Sequence, residues 1–390
     1  MGKLQFGMHM AGKVFFGKGQ SAKVKDLTEG LGAKRVVLVT DKTMQELGIA
    51  ERIASYVRQG GALVWIFDEV EPEPSVETTD KAAELARENR CDLVVGLGGG
   101  SSMDVAKAVS VLVTNEGSAA KYQGLGLVKN PGVPKIMIPT TAGTGSEVTF
   151  TAVLIRKSDG VKGGINDDKL YPDYSLLDPE LTVTMPPSVT ASTGMDALAH
   201  ALEAYTSRQA SPFSDMFAEE AMVRIGRWIR VATWNGDNME AREEMMLAAF
   251  FGGVALANAG VGACHALAYP LGGMFGVPHG VANALLLPYV VRFNSIAFPE
   301  KYARAAELLS GVSYEDWSLY EAAGSCSEVI EEMVLDLELP DTLDKLQVGI
   351  KEEHFEEMAK KAMGVSRPME NNPRKMTIDD CVRIYEEAME

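Results

Sequence analysis

Short apolar runs alternate with helix-length amphipathic stretches along the first half of the chain. The runs have the length of buried strands and cover residues 35–40, 62–67, 92–97 and 135–139. The stretches between them have helical spacing and cover 43–58, 77–89 and 102–113. Apolar strands separated by helices are typical of a parallel sheet covered on both faces. We therefore predict an α/β domain with a Rossmann-like parallel sheet.

This alternation stops near residue 186. Beyond it, segments rich in Ala, Met and Glu have helical spacing, as at 188–207, 214–233 and 239–258, and no convincing strand follows. Pro186 and Pro187 end the strand-rich part, and Ser188 is a candidate cap for the next helix. Because 390 residues exceed the usual size of one core, we predict two domains. They are an α/β domain at 1–185 and an all-α domain at 186–390.

Composition and charge exclude several classes of partner. A formal net charge of -17 opposes binding to nucleic-acid phosphates, and the apolar runs are too short to predict a membrane span. The four cysteines are too few for a disulfide scaffold and lack Cys-x-x-Cys spacing. The first residues do not resemble a signal peptide. We therefore expect a cytoplasmic protein with reduced thiols and no nucleic-acid or membrane partner.

Histidine is scarce, and three of the five residues fall between positions 200 and 279. Asp196 precedes His200 by four positions, which places both side chains on one face of a helix. His265 and His279 follow. One carboxylate and three imidazoles are a plausible shell for a divalent metal, although a single Asp-x-x-x-His is more often a surface pair or a capped core histidine.

A glycine-rich loop follows the predicted strand at 92–97 and opens the next predicted helix. It reads Gly96-Leu-Gly-Gly-Gly-Ser-Ser-Met-Asp-Val-Ala-Lys107. Glycines let backbone amides approach an anion, and the helix N-terminus adds positive potential for a pyrophosphate. The spacing differs from Gly-x-Gly-x-x-Gly, so a tight strand-to-helix turn is the alternative.

Two further features are candidates for cofactor binding. The loop Pro139-Thr-Thr-Ala-Gly-Thr-Gly-Ser-Glu147 offers hydroxyls and glycines to phosphates, a ribose or an amide. Asp41 ends a strand, where a carboxylate binds an adenosine ribose and repels a 2'-phosphate, favouring NAD over NADP. Asp41 is alternatively only the cap of the following helix.

Six segments together resemble the iron-containing (group III) alcohol dehydrogenase family, whose fold is related to that of dehydroquinate synthase. They occur in the family's order, span essentially the whole chain, and lie at 39–43, 98–107, 139–147, 194–200, 278–283 and 372–374. The resemblance implies a dinucleotide-binding domain followed by a helical metal-binding domain. It also implies a homodimer or larger homo-oligomer.

The resemblance assigns residues to the metal and to NAD. It implies Fe²⁺, with Zn²⁺ as an alternative, held by Asp196, His200, His265 and His279. It assigns the cofactor, NAD, to Asp41, to the loop residues Gly98, Gly99, Gly100, Ser101 and Ser102, to Thr140, Thr141 and Thr144, and to Lys162. Asp104 and Lys107 are expected to support the loop.

Three positions depart from the family pattern. Tyr269 stands where many members have a second histidine with a part in proton transfer or cofactor contact. Its phenol can relay a proton but is a poorer base at neutral pH, so proton release through water or a ribose hydroxyl is the alternative. The Pro-Asn-Pro loop reads Pro72-Glu73-Pro74, and Thr151 replaces an asparagine near the substrate. The family pocket otherwise implies that Thr151, Leu256, Cys264 and Tyr269 face the substrate.

The expected activity is reversible hydride transfer between NAD and a small primary alcohol or its aldehyde, with the metal as Lewis acid. Two alternatives remain open. One is a lyase like dehydroquinate synthase on the same scaffold, and the other is a non-catalytic nucleotide-binding homologue.

Overall fold

The computed structural model describes residues 5–158 and 160–389. Two compact units make up the chain. The sheet unit comprises Met10–Thr141 and Gly145–Val183. Among the described residues, the helical unit comprises 5–9, 142–144 and 184–389.

The sheet unit contains nine strands and five α-helices among its described residues. The strands are β1 Lys13–Phe16, β2 Arg35–Val39, β3 Leu63–Phe67, β4 Leu93–Gly98, β5 Gly124–Leu125, β6 Lys135–Pro139, β7 Thr151–Arg156, β8 Val161–Asn166 and β9 Tyr174–Leu177. The helices are α1 Val24–Gly30, α2 Lys42–Glu46, α3 Ile49–Gln59, α4 Val76–Glu88 and α5 Gly100–Leu112.

Six strands form one parallel sheet in the order β1-β9-β6-β4-β2-β3. Both faces are covered, as the uninterrupted apolar runs predict. In β2, Val36 and Leu38 pack with α1 and α3, whereas Val37 and Val39 pack with α4 and α5. This arrangement confirms the predicted Rossmann-like sheet. A separate sheet has the order β5-β8-β7, in which β7 and β8 are antiparallel.

The helical unit contains ten α-helices and no strand among its described residues. The helices are α6 Pro187–Thr206, α7 Pro212–Trp234, α8 Met239–Ala259, α9 Ala263–Phe275, α10 His279–Asn294, α11 Pro299–Ser310, α12 Leu319–Asp336, α13 Phe355–Met363, α14 Ser366–Asn371 and α15 Ile378–Glu387. They enclose one apolar core to which α6 contributes Met195, Leu198 and Leu202. The prediction of an all-α second part is confirmed.

Two local predictions were wrong. The stretch predicted as one helix at 43–58 is split into α2 and α3, because Gly48 adopts a left-handed conformation with φ 71 between them. Ser188 does not cap α6, which begins at Pro187 with no side-chain cap. Proline suits this first helical position because its missing N–H would have no partner there.

Among the described residues, no single helix has the length and apolar character needed to cross a membrane. The consecutive helices α8 and α9, bent by 104° at their junction, meet that test as a pair by length and composition alone.

Candidate metal and cofactor sites

Helix α6 presents Asp196 and His200 on one face, one helical turn apart, as the sequence predicts. His265 is the third residue of α9, and His279 is the first residue of α10. The ligand atoms of Asp196, His265 and His279 lie within 4.8 Å of one another. Three helices therefore supply the predicted residues.

Asp196 Oδ1 is the common neighbour of three imidazole nitrogens. It lies 3.6 Å from Nε2 of His279, 3.8 Å from Nε2 of His265 and 3.9 Å from Nε2 of His200. The rings of His200 and His265 are stacked with centroids 4.8 Å apart. Asp196, His265 and His279 thus form one compact group, and His200 adds a fourth predicted donor beside Asp196 Oδ1.

The start of α10 lies close to α6, and Gly280 permits this approach. A Cβ atom at position 280 would lie 2.5 Å from the carbonyl oxygen of Ser192 on α6. A side chain there would push α10 away from α6 and carry the neighbouring His279 with it. His279 is the most open of the four ligands, since 27% of its side chain is exposed, whereas Asp196, His200 and His265 are buried.

The electrostatics of the cluster suit a divalent cation. Burial by itself raises the pKa of Asp196. The opposing effects are larger and lower this pKa to about 2; they come from the rings of His200, His279 and His265 and from a hydrogen bond donated by Asn283. Burial lowers the pKa of His200, which favours its neutral form. Metal ligands must be a deprotonated carboxylate and neutral imidazoles. One oxygen and three nitrogen donors fit iron or zinc.

The glycine loop has the backbone geometry expected of an anion site. Gly98 ends β4 with φ 138, and a Cβ there would lie 2.8 Å from Ser102 Oγ and 3.0 Å from Asp41 Oδ2. Gly99 is the N-cap of α5 and supplies no side-chain cap. The buried hydroxyl oxygen of Thr141, close to Gly99, has no hydrogen-bond partner in the described structure. The loop therefore has backbone amides, space and a hydroxyl for a phosphate group.

Asp41 is both a helix cap and a neighbour of the glycine loop. Its Oδ1 accepts a hydrogen bond from Met44 N at 3.1 Å at the start of α2. Its Oδ2 accepts one from Ser102 Oγ at 3.2 Å. The capping interpretation is therefore correct, and it is compatible with a role beside the cofactor.

Asp104 and Lys107 connect α5 to residues 146–153. Lys107 is fully buried, and its Nζ donates to the carbonyl oxygens of Ser146 and Thr151 and to Thr149 Oγ1. Asp104 lies 3.1 Å from the same ammonium group. Its two oxygens also accept hydrogen bonds from Ser146 Oγ and from Val153 N. The pair connects the glycine-loop helix to residues 146–153.

Comparisons with known proteins match both halves of the chain to one family. The family model described as "Iron-containing alcohol dehydrogenase" matches residues 11–179, and "Fe-containing alcohol dehydrogenase family, C-terminal" matches 190–389. The chain belongs to the iron-containing alcohol dehydrogenase family. The predicted resemblance is confirmed, and the chain is an alcohol dehydrogenase that interconverts alcohols and aldehydes with a nicotinamide cofactor.

Individual relatives of this alcohol dehydrogenase match over nearly their whole length. Long-chain-alcohol dehydrogenase 1 of Geobacillus thermodenitrificans (strain NG80-2) is 42% identical, and the match covers 92% of this chain and 90% of the relative. NAD-dependent methanol dehydrogenase of Bacillus methanolicus is 37% identical, with coverage of 96% and 97%. The crystal structure of a 1,3-propanediol oxidoreductase is 38% identical, has a TM-score of 0.95 and covers 99% of this chain and 100% of that one.

The residues predicted to face the substrate have different surroundings in this alcohol dehydrogenase. Tyr269 stacks on His279 with ring centroids 6.0 Å apart. Leu256 is half-buried in α8. Thr151 donates a hydrogen bond to Asn166 Oδ1 at 2.9 Å. Cys264 is fully buried, and its thiol lies 3.5 Å from the carbonyl oxygen of Asn283. Its burial makes Cys264 part of the supporting wall and not a surface for a substrate.

Lys162 forms an ion pair with Glu73, the residue that replaces asparagine in the Pro-x-Pro loop. Both side chains are partly exposed. The predicted cofactor lysine therefore has an acidic partner within its own unit, which offsets its charge. Thr140 is buried at the end of β6, and Thr144 is half-buried.

Sequence reasoning missed two polar residues that contact the predicted ligands. Asn283 is fully buried, and its Nδ2 lies 2.8 Å from Asp196 Oδ1 and 3.2 Å from Nε2 of both His265 and His279. Glu203 contacts His265 Nδ1. Helical spacing offered a signal for both, because Asn283 follows His279 by four positions and Glu203 follows Asp196 by seven.

Proposed function

We propose that the chain catalyses reversible hydride transfer between NAD and the carbinol carbon of a small primary alcohol, at a divalent metal held by Asp196, His200, His265 and His279. The observation that carries this proposal is the convergence of three Nε2 atoms on Asp196 Oδ1, at 3.6 to 3.9 Å. In this proposal the helical unit holds the metal, and the sheet unit, with the domain boundary near residue 185, holds the dinucleotide.

The metal, when bound, supplies Lewis-acid chemistry that lowers the pKa of an alcohol oxygen or polarises an aldehyde carbonyl. Asp196 contributes the one negative charge among the four ligands, so the site keeps net positive charge toward the substrate oxygen. We propose Fe²⁺ as the ion because the family is described as iron-containing. Zn²⁺ is also compatible with three imidazoles and a carboxylate.

The sheet unit provides the proposed NAD contacts apart from Thr144, which belongs to the helical unit. Amides at the start of α5, from Gly98 to Ser102, bind the pyrophosphate, because α5 has no side-chain cap and the helix dipole favours an anion there. Thr140, Thr141 and Thr144 donate hydroxyls to the phosphates and the nicotinamide. Asp41 selects NAD by repelling a 2'-phosphate. Lys162 lies near the cofactor with its charge offset by Glu73.

The proposed substrate is a small, uncharged primary alcohol or its aldehyde. Thr151 and Leu256, the proposed substrate contacts, carry no charge, and the ion pair of Lys162 with Glu73 leaves little charge for an anionic group. The names of three relatives cite methanol, 1,3-propanediol and a long-chain alcohol, which leaves chain length open. Tyr269, stacked on His279, relays the alcohol proton to solvent in place of the usual histidine.

We also propose a cytoplasmic homodimer. None of the four cysteines is in a disulfide, as expected in a reducing compartment. Among the described residues, strand β1 lies at one end of the six-stranded sheet. We propose that its outer edge pairs with a second copy of the chain.

The test compares His265→Ala with wild type in metal content, alcohol-dependent NADH formation and NAD affinity. We expect metal binding and turnover to fall at least about a hundredfold, while the dissociation constant of NAD changes by less than about twofold. The matched control is His354→Ala. His354 is not one of the proposed ligands, and its imidazole accepts a hydrogen bond from Lys351 N. A His265→Ala enzyme with normal metal content and activity would refute the ligand assignment.

The same assay separates the two alternatives. A lyase of the dehydroquinate synthase type regenerates its cofactor and gives no net NADH, and a non-catalytic homologue gives no product at all. Accumulation of NADH at 340 nm, in proportion to the alcohol consumed, is expected only for the dehydrogenase.

A further inference from the structure

We infer that Glu203 is a positioning residue for the metal site, where it fixes the tautomer and the orientation of His265. This inference rests on the proposed function, because it assumes that His265 binds metal through Nε2. It adds a carboxylate that is not itself a ligand.

Glu203 lies on the face of α6 that carries the ligands. It follows His200 by three positions and Asp196 by seven, so the three side chains project in the same direction. Its side chain is 7% exposed. A carboxylate so deeply buried is costly unless its oxygens have strong partners, and each oxygen has one.

The first partner is the imidazole of His265. Glu203 Oε2 lies 2.5 Å from His265 Nδ1. A carboxylate at this distance accepts a hydrogen bond from the N–H of Nδ1, which places the proton on Nδ1 and leaves Nε2 unprotonated. Nε2 is the atom that lies 3.8 Å from Asp196 Oδ1. The contact therefore selects the tautomer that can bind a metal and raises the basicity of the ligand nitrogen.

The second partner is the backbone at the start of α9. Glu203 Oε1 accepts a hydrogen bond from Cys264 N at 2.6 Å, within the first turn. Gly262, the N-cap, supplies no side-chain cap. A negative charge is favourable at this end of a helix dipole. One carboxylate thus holds both the backbone that precedes His265 and the ring of His265 itself.

The helix end does not depend on Glu203 alone. Asn372 Oδ1 accepts a hydrogen bond from Ala263 N at 3.3 Å. The apolar face of α9, which includes Leu267 and Leu271, packs in the core. We therefore expect a variant at Glu203 to fold and to lose chiefly the control of the His265 ring.

The decisive variant is Glu203→Gln. Its amide oxygen still accepts from Cys264 N, but its NH₂ group donates to Nδ1 and so favours the proton on Nε2, where it blocks metal binding. We expect the affinity for Zn²⁺, measured by competition with a chromophoric chelator on the full-length protein, to fall about 10- to 100-fold. NAD affinity and the circular dichroism spectrum should not change.

The matched control is Glu219→Gln. Glu219 lies on α7 and accepts a hydrogen bond from Tyr205 OH of α6 at 2.9 Å, and it contacts none of the four ligands in the described structure. Its affinity for Zn²⁺ should equal that of wild type. A fall of similar size in both variants would show a general effect of removing a negative charge that contacts α6 or its neighbours and would overturn the inference.

A measurement on wild type keeps the inference testable if Glu203→Gln does not fold. In the Zn²⁺-loaded protein with ¹⁵N-labelled histidine, His265 Nδ1 should carry a proton and Nε2 should show the shift of a metal-bound nitrogen. An unprotonated Nδ1 would overturn the inference.

His265→Ala distinguishes a failure of the role inferred for Glu203 from a failure of the proposed metal site. If it loses Zn²⁺ while Glu203→Gln keeps wild-type affinity, the role of Glu203 is wrong and the proposed ligand set stands. If neither variant loses Zn²⁺, the proposed metal site itself is wrong.

Discussion

Ser102 donates a hydrogen bond to Asp41 across 3.2 Å, linking the first turn of α5 to the carboxyl end of β2. The same carboxylate caps α2 through Met44 N. Parallel strands place their carboxyl ends at one edge of the sheet, and β2 and β4 are neighbours in it. The cofactor loop and the residue proposed to select NAD are therefore parts of one hydrogen-bonded unit.

Replacing Asp41 should relax the selection against NADP. In Asp41→Asn the amide can still cap α2, but the charge that repels a 2'-phosphate is gone. We expect the ratio of kcat/KM for NADP to that for NAD to rise about tenfold or more, which corresponds to ~1.4 kcal/mol. Asp41→Gly should show the same change with an added loss of only about a few tenths of a kcal/mol in stability, because glycine is itself tolerated at a helix N-cap.

Ser102→Ala is the control that separates the charge of Asp41 from its hydrogen bond to Ser102. It removes the hydrogen bond to Asp41 but leaves the carboxylate in place, so affinity for both cofactors should fall together and their ratio should stay constant. Paired kinetics with NAD and NADP decide this. An unchanged ratio in Asp41→Asn would contradict the role of the charge.

Lys107 should be essential to the stability of the sheet unit. Lys107→Met leaves Asp104 and the carbonyl oxygens of Ser146 and Thr151 without their donor in a buried position. Breaking one side of such a network costs about 3–5 kcal/mol. Urea unfolding should show this loss, whereas Lys81→Met, which removes an exposed pair with Glu69, should cost no more than ~1 kcal/mol. Equal losses of stability in the two variants would be evidence against a stabilising role for the buried contacts of Lys107.

Glu147 should make stability depend on pH. Burial is the main cause that raises its pKa to about 7, although its own backbone amide and Lys107 oppose the shift. The folded state then binds more protons than the unfolded state between about pH 4.5 and 7, so stability falls as pH rises through this window.

The measurement compares Glu147→Gln with wild type by urea unfolding at pH 5 and pH 8. The variant should be close to wild type at pH 5 and more stable at pH 8, by an amount on the order of 1–3 kcal/mol, given ~1.4 kcal/mol per pKa unit. A difference that is the same at both pH values would exclude Glu147 as the source.

Local patterns predicted the elements that hold the site. The apolar runs at 35–40 and 92–97 correspond to β2 and β4, because continuous burial between two helical layers requires them to be apolar. Short turns were harder to predict. The break at Gly48 between α2 and α3 depends on one left-handed residue, which hydrophobic spacing does not reveal.

The predicted ligands and their supporting residues differ in how far the sequence could reveal them. His265 and His279 were identified by the scarcity of histidine and by family motifs. Glu203 is one of 54 acidic residues and Asn283 carries no charge, so helical spacing was the one signal for them and only their contacts distinguish them from other residues at such spacing. The family resemblance assigned Cys264 to the substrate, although burial as a small apolar residue is the usual role of a free cysteine; only packing could reveal its contact with Asn283.

The sequence by itself determined the parallel sheet, the helical second half, the family, and the placement of Asp196 and His200 on one helix face. The sheet, the helices and the shared helix face follow from periodicity, which is a property of neighbouring residues, whereas the family follows from short motifs that occur in its order along the chain. Only the tertiary structure decided that Glu203 lies 2.5 Å from His265, 62 positions away, and that His279 approaches α6 beside Gly280. Such contacts depend on how α6, α9 and α10 pack, and the packing is set by the whole core and not by any local pattern.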